Sequence, residues 1–401
     1  MPIDLPPLGV DGPVAAADAA PVDLDHAAST PPRPEALAAL SDHVAAANAS
    51  ATHLLGRAAR RTVEESREAV AAALGASPHE VVFTSGGTEA DNLAIKGIVW
   101  AARDADPGRT PHLVVSAVEH PAVLAPARWL AERGDCHLDV VAPDADGRVP
   151  IDRVLAAVRP GTALVSVMTA NNEVGAVNDV AGLATALDEH GVPLHTDAVQ
   201  AVATLDLTAT GAAASAVSGH KVGAPQGVGA AVLRRGLAVE PLSHGGGQDR
   251  GVRSGTFATG LIAALGAGLR AATADRAALA DRLRTLTDRL ADGVLALDGV
   301  TRNGPSDPAW RLASHVHLSL DGVEPAALTL ALDRAGVAAA GGSACASGAA
   351  SGSATVAACG LSGAPLRLSL GWTSTAADVD RAVDVLTDVV PRLRAGTWAV
   401  S

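Results

Sequence analysis

Between about residues 60 and 235 the chain alternates between two hydrophobic rhythms. Segments such as RRTVEESREAVAAALG (60–75), EADNLAIKGIVWAAR (89–103), LAPARWLAERG (124–134), IDRVLAAVRP (151–160) and LATALDEHG (183–191) carry apolar residues at the 3.6-residue period of a helix. Between them lie short apolar runs that predict strands: EVVFT (80–84), HLVVSAV (112–118), LDVVA (138–142), ALVSVM (163–168), VPLHTDA (192–198), SAVSG (215–219) and GVGAAVLRR (227–235). Strands alternating with helices imply crossover units on a mostly parallel sheet, hence an α/β domain. After about residue 270 the rhythm changes. Leu279, Leu283, Leu286 and Leu290 mark a long charged helix, and SHVHLSL (strand), PAALTLALDRAG (helix), LRLSLG (strand) and ADVDRAVDVLTDVV (helix) follow it. The pattern predicts a large domain over residues 26–272 and a smaller α/β domain from 1–25 and 273–401, with a turn-rich connection at 299–308. A chain of 401 residues is long enough for two such cores.

Ligands of open parallel sheets collect at the carboxyl ends of the strands. Polar clusters stand at those positions: SGGTEAD (85–91), EHPA (119–122), ANNEVG (170–175), HTDAVQ (195–200) and SGHKVG (218–223). SGGTEAD opens a helix, so its backbone N–H groups can hold a phosphate, or Ser85 and Thr88 can simply cap the helix. Lys221 at a strand end can be a desolvated nucleophile and Asp197 the partner of a ring nitrogen, the protein side of pyridoxal phosphate (PLP) chemistry; taken singly, they read as a surface lysine and a capping aspartate. Arg367, a cation in an apolar strand, either snorkels at an edge or clamps a carboxylate. His120 can stack on a planar ring or be an ordinary satisfied histidine. His315 and His317 share one strand face without a third metal ligand at sensible spacing and read as structural. Together, a phosphate cradle, a lysine, an aspartate and a carboxylate clamp describe a PLP enzyme acting on an amino acid.

Composition narrows the partners. The net charge is −13 and no basic run is visible, which argues against nucleic acid. No window of 18 uninterrupted apolar residues points to a membrane span, and the N-terminus lacks signal-peptide character, so a cytoplasmic protein is expected. Aromatic residues make up 2% of the chain, with no tyrosine, which leaves ring stacking mainly to His, Trp or Phe. Three cysteines without metal or disulfide spacing fit a reducing compartment. Cys136 and Cys359 read as structural. Cys345 sits in GGSACASGAASGSA (341–354), a Gly/Ala/Ser stretch that predicts a mobile arm between a helix and a strand.

Read in order, FTSGGTEADNLAIKG, EHPAVL, NNEVG, HTDAVQ, SGHK, HGGGQDRGVRSGT and GGSAC resemble the PLP-dependent cysteine desulfurases of the iron–sulfur-cluster and nitrogen-fixation type, within the class V aminotransferase family. The resemblance runs from about Asp25 to Gly371 and implies a fold-type-I PLP transferase. It implies that Lys221 bonds covalently to PLP, Asp197 faces the pyridine nitrogen, and His120 stacks on the ring and moves protons. Gln200 and Asn172 would hold the cofactor phenolate, with Asn172 also near substrate. Gly87, Thr88, Ser218 and His220 would bind the phosphate, joined by Thr256 from the other subunit of a homodimer. Arg367 would bind the carboxylate of L-cysteine. Cys345 would take the substrate sulfur as a persulfide and deliver it to an acceptor protein. Rival readings are a selenocysteine or C–S lyase, in which Cys345 is dispensable, and a cofactor-free scaffold for sulfur-transfer partners.

Overall fold

The computed structural model describes residues 20–341 and 353–398. Strand β1 (Val22–Asp23) and helices α1 (Pro34–His43) and α2 (Leu54–Leu74) precede a strand–helix series. It runs β2 (Val81–Thr84), α3 (Gly87–Ala105), β3 (His112–Ser116), α4 (Pro121–Glu132), β4 (His137–Val141), α5 (Ile151–Ala157), β5 (Thr162–Ser166), α6 (Val180–Asp188) and β6 (Leu194–Asp197). Strands β7 (Ala214–Ser218) and β8 (Gly229–Leu233) complete a seven-stranded sheet in the order β2-β8-β7-β6-β5-β3-β4. Only β8 runs antiparallel to its neighbours, so the carboxyl ends of β2, β3, β5, β6 and β7 share one edge of the sheet. Strands β3, β7 and β8 are buried along their whole length because helices cover both faces.

Helix α7 (Thr259–Ala274) then packs on α1 and α2. Its glycines set that distance: a Cβ on Gly266 would lie 2.9 Å from the Cα of Ser66 in α2. The rest of the chain is α8 (Arg276–Leu295), β9 (Val300–Asn303), β10 (His315–Leu320), α9 (Pro325–Arg334), β11 (Val337–Ala338), α10 (Ala354–Ala358), β12 (Ala364–Ser369) and α11 (Ala376–Arg394). Strands β9, β10 and β12 form an antiparallel sheet, and β1 pairs with β11. Leu279, Leu283, Leu286 and Leu290 pack on the inner faces of β10 and β12 in a core separate from those around the large sheet. The expected turn-rich connection at 299–308 differs in one respect. Gly299 and Gly304, both at positive φ, bracket a four-residue strand, β9, where continuous loop was expected. No described helix is long and apolar enough to cross a membrane.

Candidate active site

The polar clusters at the strand ends converge. Gly87, Thr88, His120, Asn172, Asp197, Gln200, Ser218, His220, Lys221 and Arg367 all line one cavity of about 410 Å³. At its β2 end, α3 begins with Gly86 as N-cap, and no side chain caps the first turn, so the capping alternative for Ser85 and Thr88 is not realised. Glu89 instead accepts the Ser85 N–H at 2.7 Å. The cradle is tight. A Cβ on Gly87 would lie 2.9 Å from the Val199 side chain, and one on Gly229 would lie 2.7 Å from the Gly86 backbone. Glycine at both positions lets backbone N–H groups face an anion at the helix N-terminus.

His120 is the N-cap of α4, and its Nδ1 accepts the Ala122 N–H at 3.1 Å. In the neutral ring this assigns the proton to Nε2. Asp197 ends β6, is 5% exposed, and accepts the Val199 N–H at 2.9 Å. Burial raises its pKa, opposed by His120, the Val199 N–H and Lys221. Lys221 Nζ donates to the carbonyls of Ala27 and, at 2.7 Å, Ala28, while Gln200 Nε2 donates to Ala27 at 3.0 Å. His220 faces Ser29 at 3.3 Å, and burial with Lys221 and His120 nearby pushes its pKa down to about 4. Arg367 does not snorkel: although β12 is an outer strand of its sheet, the residue is 4% exposed, with Nη2 on Asp25 at 2.7 Å and Nη1 on the Asn172 carbonyl at 3.0 Å.

A set of buried ionisable groups, Asp91 in the cavity wall with Glu119 and His195 outside its lining, has no counterpart in the sequence-based expectations, although all three lie inside the quoted motifs. Asp91 and His195 are fully enclosed, with Asp91 Oδ1 3.4 Å from His195 Nε2 and Ser166 Oγ 2.9 Å from His195 Nδ1. Glu119 accepts the Ser116 hydroxyl at 2.5 Å and the Met168 N–H at 2.7 Å. Burial raises the pKa of Asp91 well above the usual range, with Asp197 and Glu119 adding to it, and raises that of Glu119 to about 8. Burial alone drives His195 down to about 3.

The remaining candidates fall outside the cavity. Thr256 is exposed near the start of α7 and does not line it. Its loop is fastened from below: Asp249 accepts the Phe83 N–H at 3.0 Å and pairs with Arg67 at 2.8 Å, and Arg253 pairs with Glu89 at 2.9 Å. His315 and His317 are buried on β10, with Nδ1 on Ser314 and Asn303, both at 2.9 Å. Burial beside Arg367 lowers their pKa values to about 3 and about 4. Cys136 and Cys359 are free thiols raised to about 11 by burial and by nearby carboxylates. Cys345 lies outside the described residues.

Comparison with known proteins shows the family. The aminotransferase class-V model matches residues 22–382. An IscS-like cysteine desulfurase of Mycobacterium tuberculosis is 46% identical over 390 residues, which cover 94% of this chain and 98% of that protein. A cysteine desulfurase IscS of Methanosarcina thermophila is 36% identical over 381 residues, 93% of each chain. Among solved structures, a NifS-like protein superposes with a TM-score of 0.85 at 27% identity, covering 93% of this chain and all of that one. With the family model spanning most of the chain and relatives well above 30% identity along its length, the chain belongs to the class V aminotransferase family, within its cysteine desulfurases of the iron–sulfur-cluster and nitrogen-fixation type.

Proposed function

We propose that the protein is a PLP-dependent cysteine desulfurase that converts L-cysteine to L-alanine and leaves the sulfur on Cys345 as a persulfide. The observation that carries this is the convergence of ten separately placed sequence positions on one cavity. The residues fit PLP. The uncapped, glycine-lined start of α3 suits its phosphate, and a buried carboxylate at Asp197, costly without a cation, suits a protonated ring nitrogen. PLP, when bound, supplies an electron sink for bonds at the substrate's α-carbon.

The protein side of the reaction then has assigned parts. Lys221 holds the cofactor covalently and shuttles protons at the α-carbon. His120, whose Nδ1 is occupied by the Ala122 N–H, presents Nε2 for stacking and proton transfer. Gln200 and Asn172 hold the phenolate, Gly87, Thr88, Ser218 and His220 hold the phosphate, and Thr256 joins them from the partner in a homodimer. Arg367 takes the substrate carboxylate; its buried Nε has no hydrogen-bond partner among the described residues. The Cys345 thiolate attacks the substrate sulfur. The C–S bond breaks, its electron pair stays with carbon and takes up a proton, and alanine leaves. The persulfide sulfur then passes to an acceptor protein. Residues 26–272 serve as the cofactor domain, and 1–25 with 273–401 as the smaller domain that carries Cys345.

Purified protein with PLP should show a borohydride-sensitive visible band that Lys221→Ala loses. Cysteine should yield alanine and a persulfide on Cys345. Cys345→Ala should keep the band and its response to cysteine but make no alanine under reductant. Turnover at the wild-type rate in Cys345→Ala would refute the desulfurase reading in favour of a lyase, and a protein colourless with added PLP would refute both.

A further inference from the structure

The chain on either side of the segment that carries Cys345 is fastened beside the cavity, to Arg367, which lines it, and to Asn171 and Glu173, which flank the lining residue Asn172. On its amino side, Ala340 is buried and exchanges two backbone hydrogen bonds with Arg367: the Ala340 N–H donates at 3.1 Å and its carbonyl accepts at 2.7 Å. On its carboxyl side, the Ser353 hydroxyl donates to the Glu173 carboxylate. Two residues on, Thr355 Oγ1 accepts from Asn171 Nδ2 at 3.2 Å. Glu173, Ser353, Asn171 and Thr355 are all buried. Asn171 Oδ1 folds the NNEVG turn by accepting the N–H groups of Glu173 and Val174 at 2.8 and 2.9 Å. The Arg367–Asn172 hydrogen bond links the two anchors. Both lead to residues that line the cavity.

Ser353 also caps α10 by accepting the Val356 N–H at 3.1 Å. That cap needs nothing from residue 173. A buried carboxylate is a costly neighbour for a serine unless the bond it makes is worth having, and an O–H donated to a charged oxygen is about twice as strong as a neutral one.

We propose that Glu173 and Ser353 are positioning residues for sulfur transfer: they fix, beside Asn172, the point from which the Cys345 segment leaves the fold. This rests on the desulfurase reading. Cys345 is five residues from Ala340 and eight from Ser353, at most roughly 17 and 28 Å of extended chain. A chain anchored at two points near a site presents its middle there at a higher effective concentration than one anchored at a single point. Loosening the Ser353 anchor lowers that concentration without touching the groups that bind cysteine.

The test uses the full chain with PLP and compares wild type, Glu173→Gln, Ser353→Ala, the double variant and Ser353→Thr. Cysteine binding is read from the change it causes in the visible band. Transfer is read from single-turnover alanine and from the mass of persulfide on Cys345. Glu173→Gln and Ser353→Ala should bind cysteine within about twofold of wild type yet transfer sulfur roughly three- to tenfold more slowly. The double variant should be no slower than the slower single one, because both act on the same bond, which glutamine weakens to a neutral one and alanine removes. Ser353→Thr, which keeps the hydroxyl, should recover most of the rate. Unchanged transfer in the variants, binding lost in parallel with transfer, or additive losses would overturn the proposal while wild-type activity stands. A wild type that binds cysteine but forms neither alanine nor persulfide would overturn the desulfurase reading and this proposal with it.

Discussion

Replacing Asp197 with asparagine separates the two things a buried carboxylate can do. Asparagine keeps the volume and the acceptor for the Val199 N–H but not the charge. Burial holds the native pKa of Asp197 above its unfolded value of about 3.9, so the native state keeps its proton more tightly than the unfolded chain does. Stability of the PLP-free protein therefore falls as pH rises from about 4 toward the native pKa, and the whole penalty is present above it. Asp197→Asn removes that penalty. Without PLP, the variant should melt a few degrees higher at pH 7.5.

With PLP the sign reverses. A hydrogen bond to a charged group contributes about 1.5–3 kcal/mol, so losing it should weaken PLP binding by roughly 10- to 150-fold. Titration of PLP-free protein against the visible band measures the binding change, and melting curves with and without PLP measure the two stabilities. The expected result is a crossing: the variant above wild type without cofactor and below it with saturating cofactor. Unchanged PLP affinity together with a lowered melting temperature would refute the reasoning and make Asp197 a structural residue.

Arg67→Met breaks the buried pair with Asp249 and leaves that carboxylate stranded, which should cost about 3–5 kcal/mol in urea unfolding and loosen the loop that carries Thr256. A loss below about 1 kcal/mol would show that the pair stabilises little. Arg367→Lys cannot reproduce two bonds from one planar fork, so KM for cysteine should rise by at least about tenfold with a smaller effect on kcat, as steady-state kinetics would show. Glu119 keeps its proton in the native state up to about pH 8 and loses it near 4.3 when unfolded, so it subtracts stability progressively between those values. Buried histidines such as His195 and His315, lowered to about 3 in the fold, take up protons near 6.5 when unfolded, a contribution largely complete by about pH 7.5; the PLP-free protein should therefore melt lower at pH 8 than at 7.5, and Glu119→Gln should flatten that decline.

What the sequence made legible follows from what periodicity can encode. The strands of the large sheet are short apolar runs bounded by polar clusters, and each expected strand there is present within a few residues. Helix α7 shows no clear amphipathic stripe because it is enclosed by α1 and α2, and Gly260, Gly266 and Gly268 argue locally against a helix; only the packing they permit explains them. Strand β9 was hidden by its bracketing glycines. In the cavity, residues at strand ends could be picked out because topology alone brings strand ends together. The alternatives for Ser85, Thr88 and Arg367 could not be decided that way. They turn on which atom bonds which: Gly86 is the N-cap of α3, and Asp25, a residue far away in sequence, holds Arg367. Asp91 and Glu119 look like surface acids in a one-dimensional reading, because burial depends on neighbours contributed by other strands.

Those two acids bear on how the cavity handles charge. Two unit charges 4 Å apart repel by about 4 kcal/mol at an effective dielectric of 20, so three carboxylates crowded into one dry volume do not all ionise. Each has a different environment. Glu119 has two hydrogen-bond donors, yet burial still holds it protonated at neutral pH. Asp91 faces His195, which burial keeps neutral and therefore unable to offer a countercharge. Of the three, Asp197 is the one with the Lys221 ammonium, the His120 ring and the Val199 N–H pulling against its desolvation. Asp197 is therefore the carboxyl whose surroundings most favour the charged form, while burial holds Asp91 and Glu119 toward neutral. A cationic ring nitrogen entering the cavity meets at Asp197 a carboxylate held in place by the Val199 N–H, whereas the Glu89 carboxylate on the same wall is already paired with Arg253 at 2.9 Å.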